Sequence, residues 1–307
     1  HRPILNLRPG YHPFADDSSV SGLRHFPADT HILAWLENKG IDFDVITDWE
    51  LHHEGSSVLE TYKVVLTSSH PEYHTLGSLN AFRDYRDNGG NLVYLGGNGF
   101  YWRIALHPEM DGLIELRRAE GGLRAWAADP GEYYHAADGT YGGLWRRNGR
   151  PPNDLVGVGY TVQGDFEGTY YRRTKASYDD SFAWMFDGVD DEIIGNFGFS
   201  GGGAAGFELD RAEPRLGTPE NAVIVAVSEE HPDHFVMPPE QWLTHIKTWS
   251  GPPENELIRS DMVYFTVPGG GQVFSTGSIT FTGSLPWNDF ENNISRLLEN
   301  VIRRFKA

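Results

Sequence analysis

The sequence contains no cysteine among its 307 residues, and this absence excludes disulfides, thiolate metal sites and a cysteine nucleophile. It is also poor in positive charge, because 25 lysines and arginines stand against 43 aspartates and glutamates, for a formal net charge of −18. A nucleic-acid-binding surface needs an excess of lysine and arginine, so this balance argues against a nucleic-acid partner. No apolar run reaches the length of a membrane-spanning helix, which predicts a protein without a membrane partner.

The composition is that of a globular protein, with 39% hydrophobic and 13% aromatic residues. A chain of this length can form one large domain or two ordinary ones, and either buries a substantial core. It starts at His1, with neither a methionine nor a signal-like hydrophobic segment. We therefore expect a processed or excised piece of a longer protein, and we expect it in the cytoplasm.

The first hundred residues alternate predicted strands with predicted helices. The strand segments are residues 3–7, 43–46, 63–67 and 91–95. Asp29 is predicted to cap a first helix that Gly40 closes, a polar crossover covers residues 47–62, and a further helix covers residues 76–86. Short strands joined through helices predict a right-handed parallel sheet and therefore an α/β fold.

Between about residues 109 and 219 the pattern changes, because glycine and aromatic residues become frequent and the helical period disappears. This change predicts a β-rich, loop-rich insertion at the edge of one α/β domain that covers residues 1–307. The α/β pattern then returns with a predicted strand at 222–227 and a hairpin of strands at 262–267 and 272–276. A final amphipathic helix is predicted from apolar residues at helical spacing, which are Phe290, Ile294, Leu297, Leu298, Val301, Ile302 and Phe305.

Polar side chains follow two of the predicted strands at their carboxyl ends. His70 and Glu72 come after the strand at 63–67, and Asn98 lies in a glycine-rich run after the next strand. Ligands of open α/β sheets bind just beyond the carboxyl ends of the strands. We therefore predict one site, with His70 and Glu72 as metal ligand and base, and a backbone cradle around Asn98 for an anion or a carbonyl oxygen.

Each of these features also has a simpler explanation. The His-Pro-Glu tripeptide can be a turn whose polar groups cap the next helix, and it recurs at residues 107–109 without a preceding buried strand. Residues 96–99 can be a tight strand-to-helix turn whose glycines need positive φ, and they lack the full dinucleotide-binding fingerprint. Glu208 lies in the small-residue run 201–210; a surface position on a flexible loop is the favoured interpretation, and a tight, glycine-lined position is the alternative.

Other clusters fit ordinary structure better than a site. One acidic cluster matches no calcium-binding loop and predicts a solvated turn. Its members are Asp187, Asp190, Asp191 and Glu192. The histidine pairs at residues 52–53 and at 231 and 234 lack a third ligand at helical spacing, so no zinc site is predicted. No Gly-x-Ser-x-Gly nucleophile elbow follows any strand.

Seven segments together resemble the large-subunit family of N,N-dimethylformamidase. They are residues 2–9, 22–29, 69–73, 96–102, 118–122, 131–134 and 201–208. The resemblance extends over nearly the whole chain, and it is to the carboxy-terminal region of that subunit, which looks like a class I glutamine-amidotransferase-type domain without its cysteine nucleophile. It implies a flavodoxin-like parallel sheet flanked by helices.

The resemblance also implies a reaction and a cofactor. In the family, a mononuclear ferric iron held by two tyrosinates and one glutamate hydrolyses N,N-dimethylformamide to dimethylamine and formate. Glu72 matches the glutamate ligand, His70 the adjacent active-site histidine, and Asn98 an asparagine of the substrate pocket. Glu208 matches an acidic residue that faces the metal. Glu208 or His70 would then move the proton of the attacking water, and Asn98 would orient the carbonyl.

The two tyrosinate ligands are expected upstream of this chain, because Tyr73 and Tyr101 do not match those positions. The chain alone would hold an incomplete metal site. Its expected partners are a small amide substrate and, in a hetero-oligomer, the small subunit and the amino-terminal region of the same enzyme. Two alternatives stay open: a catalytically silent scaffold or binding module within a larger assembly, or an enzyme for another small amide or a carbohydrate-type ligand.

Overall fold

The computed structural model of this chain describes residues 26–118, 132–245 and 254–307. Within these ranges the helices are α1 (Phe26–Asn38), α2 (Asp48–Glu54), α3 (Leu76–Asp87), α4 (Pro152–Val156), α5 (Pro239–His245), α6 (Glu254–Leu257) and α7 (Asn293–Lys306). The strands are β1 (Val64–Leu66), β2 (Tyr73–His74), β3 (Asn91–Tyr94), β4 (Trp102–Leu106), β5 (Ile114–Leu116), β6 (Gly159–Thr169), β7 (Tyr171–Arg173), β8 (Ile193–Ile194), β9 (Ala205–Arg211), β10 (Val223–Ser228), β11 (Asp261–Thr266) and β12 (Gln272–Ser275). The predicted α/β class is confirmed. None of the described helices is long and apolar enough to cross a membrane.

The main sheet of the described residues has seven strands in the order β1-β3-β12-β11-β10-β7-β8. β1, β3 and β12 run parallel to one another, whereas the remaining neighbours pair antiparallel. The expectation of a parallel sheet is therefore wrong beyond these three strands. The predicted hairpin of β11 and β12 is confirmed. It also explains in part why the sheet is mixed, because so short a connection can join only antiparallel strands.

Near the start of the described chain one prediction is wrong and another is incomplete. Residues 43–46 form no strand: Phe43 and Ile46 pack partly against the core without pairing to the sheet, and Val45 is 68% exposed. The expected polar crossover at 47–62 contains α2, which begins with a capping box in which the Glu50 carboxylate accepts from the Thr47 N–H at 2.6 Å. The predicted strand at residues 3–7 lies outside the described residues.

The segment from 109 to 219 is rich in strands, as predicted, and some of them belong to the main sheet. β7 pairs with β10, and β8 continues the sheet beyond β7. β6 pairs instead with β9 in a separate two-stranded ladder. The interpretation of the whole segment as an insertion stays a prediction.

The hydrophobic core lies on both faces of the main sheet. Along β3, Val93 packs on one side, with α1 and α7, while Leu92 and Tyr94 pack on the other, with α3. This alternation is what a strand with both faces covered requires. The predicted final helix is confirmed as α7, whose buried apolar residues are Ile294, Leu297, Leu298, Val301, Ile302 and Phe305. The arrangement leaves the carboxyl ends of β1, β3 and β12 at one edge.

Candidate active site

Two loops leave the carboxyl ends of β1 and β3 and are bonded to each other. We call residues 69–72 the histidine loop and residues 96–99 the glycine loop. The backbone N–H groups of Gly97, Phe100 and Tyr101 donate to carbonyl oxygens of the histidine loop at 3.3, 2.7 and 2.9 Å. Since β1 and β3 are parallel neighbours, these bonds join the two strand ends into one structure, as the sequence predicts.

The glycines of the glycine loop are needed for close approach and not for positive φ. A Cβ on Gly97 would lie 2.4 Å from the Glu208 carbonyl oxygen, and one on Gly99 would lie 2.6 Å from the Tyr94 ring. The positive φ belongs to Asn98 instead, at 50°. The simpler explanation, a strand-to-helix turn of positive-φ glycines, is therefore wrong, and the loop leads into β4 and not into a helix.

Four side chains that the sequence singles out meet at these loops. His70 Nε2 lies 3.0 Å from Glu208 Oε2 and 3.3 Å from Glu72 Oε2. Asn98 Nδ2 donates to Glu208 Oε2 at 3.1 Å. The side chains of His70, Glu72 and Glu208 are 9%, 12% and 9% exposed, and Asn98 is buried. We call His70, Glu72, Asn98 and Glu208 the His-Glu cluster.

Glu208 reaches the His-Glu cluster from a buried strand and not from a flexible surface loop. It lies in β9, every residue of which is buried. The favoured interpretation of Glu208 as a surface residue is therefore wrong, and its glycine-lined alternative is correct. The reason is packing around the strand: a Cβ on Gly206 would lie 2.1 Å from the Glu167 carbonyl oxygen of β6, so only glycine permits this approach of β6 and β9.

A second carboxyl of β9 lies beside the His-Glu cluster, and the sequence did not identify it as a site residue. Asp210 is fully buried and accepts from the Asn98 N–H at 2.7 Å and from the Tyr94 hydroxyl at 2.6 Å. Burial raises the pKa of Asp210 to about 7, and burial followed by the neighbouring Asp210 charge holds the pKa of Tyr94 well above its usual value. The signal that could have found Asp210 is its spacing of two from Glu208, which places both on one face of a strand.

Asp29 ties α1 to the histidine loop. Its Oδ1 accepts from both the Ser69 N–H and the Ser69 hydroxyl, each at 2.8 Å, and burial raises the pKa of this carboxyl. The prediction that Asp29 caps α1 is wrong, because the helix already includes Phe26 and Asp29 bonds to a distant loop instead. Its spacing from buried Ile32 and Leu36 places it on the inner face of the helix, which is the signal that sequence reasoning missed.

The simpler explanation of the histidine loop holds only in part. The Glu72 N–H donates to the His70 carbonyl oxygen at 3.0 Å, so the segment is a turn. Neither side chain caps the next helix, because α3 is capped by Thr75, whose side chain accepts from the Ser78 N–H. In the recurring tripeptide, by contrast, His107 Nδ1 accepts from two backbone N–H groups of its own exposed turn.

The remaining candidates lie outside the His-Glu cluster. The members of the predicted solvated acidic turn, Asp187, Asp190, Asp191 and Glu192, are exposed. Tyr101 donates to Glu240 Oε1 at 2.9 Å, and Tyr73 bonds to Arg118. Across the ranges that the structure describes, no group of three histidine or carboxylate side chains has the geometry to hold a metal ion.

The chemistry available to the His-Glu cluster is proton transfer and oxygen ligation. An imidazole nitrogen within hydrogen-bond distance of two carboxylates can take up a proton and be stabilised as the cation. Carboxylate oxygens are hard ligands that suit hard cations. Asn98 Oδ1 is buried and has no hydrogen-bond partner among the described residues, so the cluster has a free acceptor for a guest.

Sequence comparison relates this chain to one family over nearly its whole length. Residues 1–294 match the family model described as N,N-dimethylformamidase beta subunit-like, C-terminal. The N,N-dimethylformamidase beta subunit of Paracoccus aminophilus is 41% identical over 306 residues, which are 99% of this chain and 39% of that protein. The protein of the same name from an Alcaligenes species is 40% identical over the same shares. The chain thus spans about two fifths of the length of these relatives.

Structural comparison gives more distant similarities. A ThuA-like protein from Bacteroides uniformis superimposes with a TM-score of 0.42 at 12% identity, over 96% of this chain and 88% of that one. A cytoplasmic protein from Salmonella typhimurium gives a TM-score of 0.44 at 11% identity, over 91% and 87% of the two chains.

Proposed function

Because the chain belongs to the N,N-dimethylformamidase beta subunit-like, C-terminal family, we propose that it forms the carboxy-terminal region of an amide hydrolase. The proposed reaction converts N,N-dimethylformamide, or a similar small formamide, to dimethylamine and formate. The observation that carries the proposal is the position of His70 Nε2, within 3.3 Å of the carboxylates of both Glu72 and Glu208. Amide hydrolysis needs a group that takes a proton from water and returns it to the amine, and this arrangement provides one.

Iron belongs to the proposal, and the residues present fit part of its ligand set. Glu72 supplies one hard oxygen donor, which suits ferric iron, and the two tyrosinate ligands come from outside this chain. The buried, unpartnered Oδ1 of Asn98 supports a polar guest in the same space. When bound, a ferric ion supplies Lewis acidity that polarises an amide carbonyl.

The residues of this chain then handle the proton and the substrate. His70, or Glu208 beside it, takes one proton from the attacking water as the oxygen bonds to the formyl carbon. The same group returns the proton to the amide nitrogen as the carbon–nitrogen bond breaks, so that dimethylamine leaves neutral together with formic acid, which then releases its proton to solvent as formate. Asn98 uses one amide hydrogen for Glu208, and its second hydrogen is available to the carbonyl oxygen of the substrate.

The partners of the chain follow from the same proposal. The relatives are named as beta subunits and extend well beyond the region that matches this chain. We therefore propose a hetero-oligomer in which an amino-terminal region and a small subunit complete the enzyme. The site of this chain would complete its ligand set only in that assembly.

The test is iron content and turnover of N,N-dimethylformamide, measured on the intact assembly with single variants of this chain. We expect Glu72→Ala to lose both iron and turnover. We expect Glu208→Gln to keep iron and lose turnover by about 100-fold or more, the usual range for a proton-transfer group. Glu192→Gln, an exposed glutamate paired with Arg172, is the matched control and should behave as wild type.

Two results would contradict the proposal in different ways. Stoichiometric iron in Glu72→Ala would refute the ligand assignment. Normal assembly and unchanged turnover in Glu72→Ala, Glu208→Gln and His70→Ala would refute the catalytic role of the His-Glu cluster. That second result would favour the scaffold, in which this region serves assembly alone.

A further inference from the structure

Asn98 is held from two directions by a single face of β9. Side chains two residues apart on a strand point the same way, so Glu208 and Asp210 both face the glycine loop. Glu208 accepts from the Asn98 side chain at 3.1 Å, and Asp210 accepts from the Asn98 backbone N–H at 2.7 Å. One strand face thus fixes both the position of the residue and the direction of its amide.

Tyr94 extends this support to the next residue. It is the last residue of β3, and its hydroxyl donates to Asp210 at 2.6 Å and accepts from the Gly99 N–H at 2.7 Å. Tyr94 and Asp210 therefore bind the backbone N–H groups of two successive loop residues. Since Tyr94 precedes the glycine loop and Gly99 is the last residue of that loop, their hydrogen bond ties the two ends of the loop together.

The loop needs such support from outside. Asn98 has a φ of 50°, a left-handed conformation that asparagine tolerates better than most residues but does not favour by itself, and its glycine neighbours Gly97 and Gly99 add little intrinsic restriction to the chain. Tyr94 and Asp210 are both fully buried, and burying a carboxyl and a hydroxyl is unfavourable unless both are hydrogen-bonded. Apolar side chains in the same space would leave the N–H groups of Asn98 and Gly99 without these acceptors, so the polar pair fixes the loop as well as filling space.

We propose that Tyr94 and Asp210 are positioning residues that hold Asn98 in the orientation its substrate contact requires. This inference rests on the proposed function, because it assigns the pair a role through Asn98. Neither residue needs to touch the substrate.

The test is a double-mutant cycle in kcat for N,N-dimethylformamide, measured on the intact assembly. Tyr94→Phe removes one oxygen and keeps the ring. We expect it to lower kcat roughly tenfold or more, the usual effect of losing a residue that orients an active-site group. In the Asn98→Ala background, the same change should have no further effect, because the amide it orients is gone.

The matched control is Tyr171→Phe. Tyr171 is also fully buried, and its hydroxyl bonds to the Thr276 carbonyl oxygen at 2.7 Å and to Ser260 at 3.1 Å, both outside the glycine loop. The control should retain the wild-type kcat. If Tyr94→Phe fails to assemble, Asp210→Asn, which keeps the size of the side chain, replaces it in the same cycle.

The outcomes separate this inference from the proposed function. A wild-type kcat in Tyr94→Phe, with kcat lost in Asn98→Ala, overturns the inference and leaves the proposed function standing. Additive losses in the double variant overturn the inference as well, because they place the effect of Tyr94 elsewhere. A wild-type kcat in Asn98→Ala overturns both the inference and the role of Asn98 in the proposed reaction.

Discussion

Replacing Asp29 by alanine should destabilise the chain more than any other change at the junction of α1 and the histidine loop. The carboxylate accepts two hydrogen bonds from Ser69, each 2.8 Å long, and Ser69 is fully buried. A hydrogen bond to a charged acceptor contributes about 1.5–3 kcal/mol, and an unsatisfied buried donor costs about 1–3 kcal/mol. We therefore expect Asp29→Ala to lower the free energy of unfolding by about 3 kcal/mol.

Two related variants test whether the hydrogen bonds are the cause. Ser69→Ala removes the hydroxyl and leaves the backbone N–H bonded to Asp29, so its expected cost is about 1 kcal/mol. Asp29→Asn keeps an acceptor oxygen at the same place and should also cost much less than Asp29→Ala. Urea unfolding followed by tryptophan fluorescence measures all three. The reasoning is refuted if Asp29→Ala is no less stable than Asp29→Asn.

Two further predictions concern β9 and the glycine loop. Burial raises the pKa of Asp210 to about 7 from a usual 3.8, so the folded chain binds the proton of the Asp210 carboxyl more tightly than the unfolded chain does. The stability that comes from this proton binding is therefore fully present below about pH 4 and is lost as the pH rises to about 7. Asp210→Asn cannot ionise, so the free energy of unfolding of the variant, measured in urea and compared with that of the wild type, should rise by up to roughly 4 kcal/mol across that range. A difference that is independent of pH would contradict this. Gly97→Ala places a methyl group 2.4 Å from the Glu208 carbonyl oxygen and 2.9 Å from the Ile279 nitrogen, backbone atoms that cannot rotate away. We expect a loss of about 1–3 kcal/mol in the free energy of unfolding, and wild-type stability would show that the loop is looser than the structure indicates.

The part of the site that could be predicted from the sequence is the part that local pattern determines. A short β-branched strand followed by His70 and Glu72, and a second one followed by Asn98, indicate two strand ends, and parallel neighbours bring such ends together. The structure pairs β1 with β3 in parallel and joins the two loops through backbone hydrogen bonds. Nothing beyond a few residues of sequence on either side was needed for this prediction.

The contribution of β9 could not be predicted, because it depends on contacts between residues far apart in the sequence. Glu208 lies more than a hundred residues from the glycine loop, in a segment whose small residues look flexible. Those small residues allow β6 and β9 to approach closely, which buries Glu208 and Asp210. The role of Asp29 depends on the same kind of contact: an aspartate near a helix start indicates a cap, and only the fold shows that its partner is Ser69 in the histidine loop.

Several carboxyl groups lie close to His70 within this chain. Glu208 and Asp210 are buried and Asp29 is partly buried, and across the described ranges no lysine or arginine pairs with them; the basic side chain that contacts Glu208 is His70. A buried carboxylate without a counter-ion is costly and either takes up a proton or binds a cation. Burial does raise the pKa of both Asp29 and Asp210, and these two carboxyls are already hydrogen-bonded to the loops. The carboxylates that contact the imidazole, those of Glu72 and Glu208, are therefore the ones that a bound cation would stabilise most, which agrees with the placement of iron proposed above.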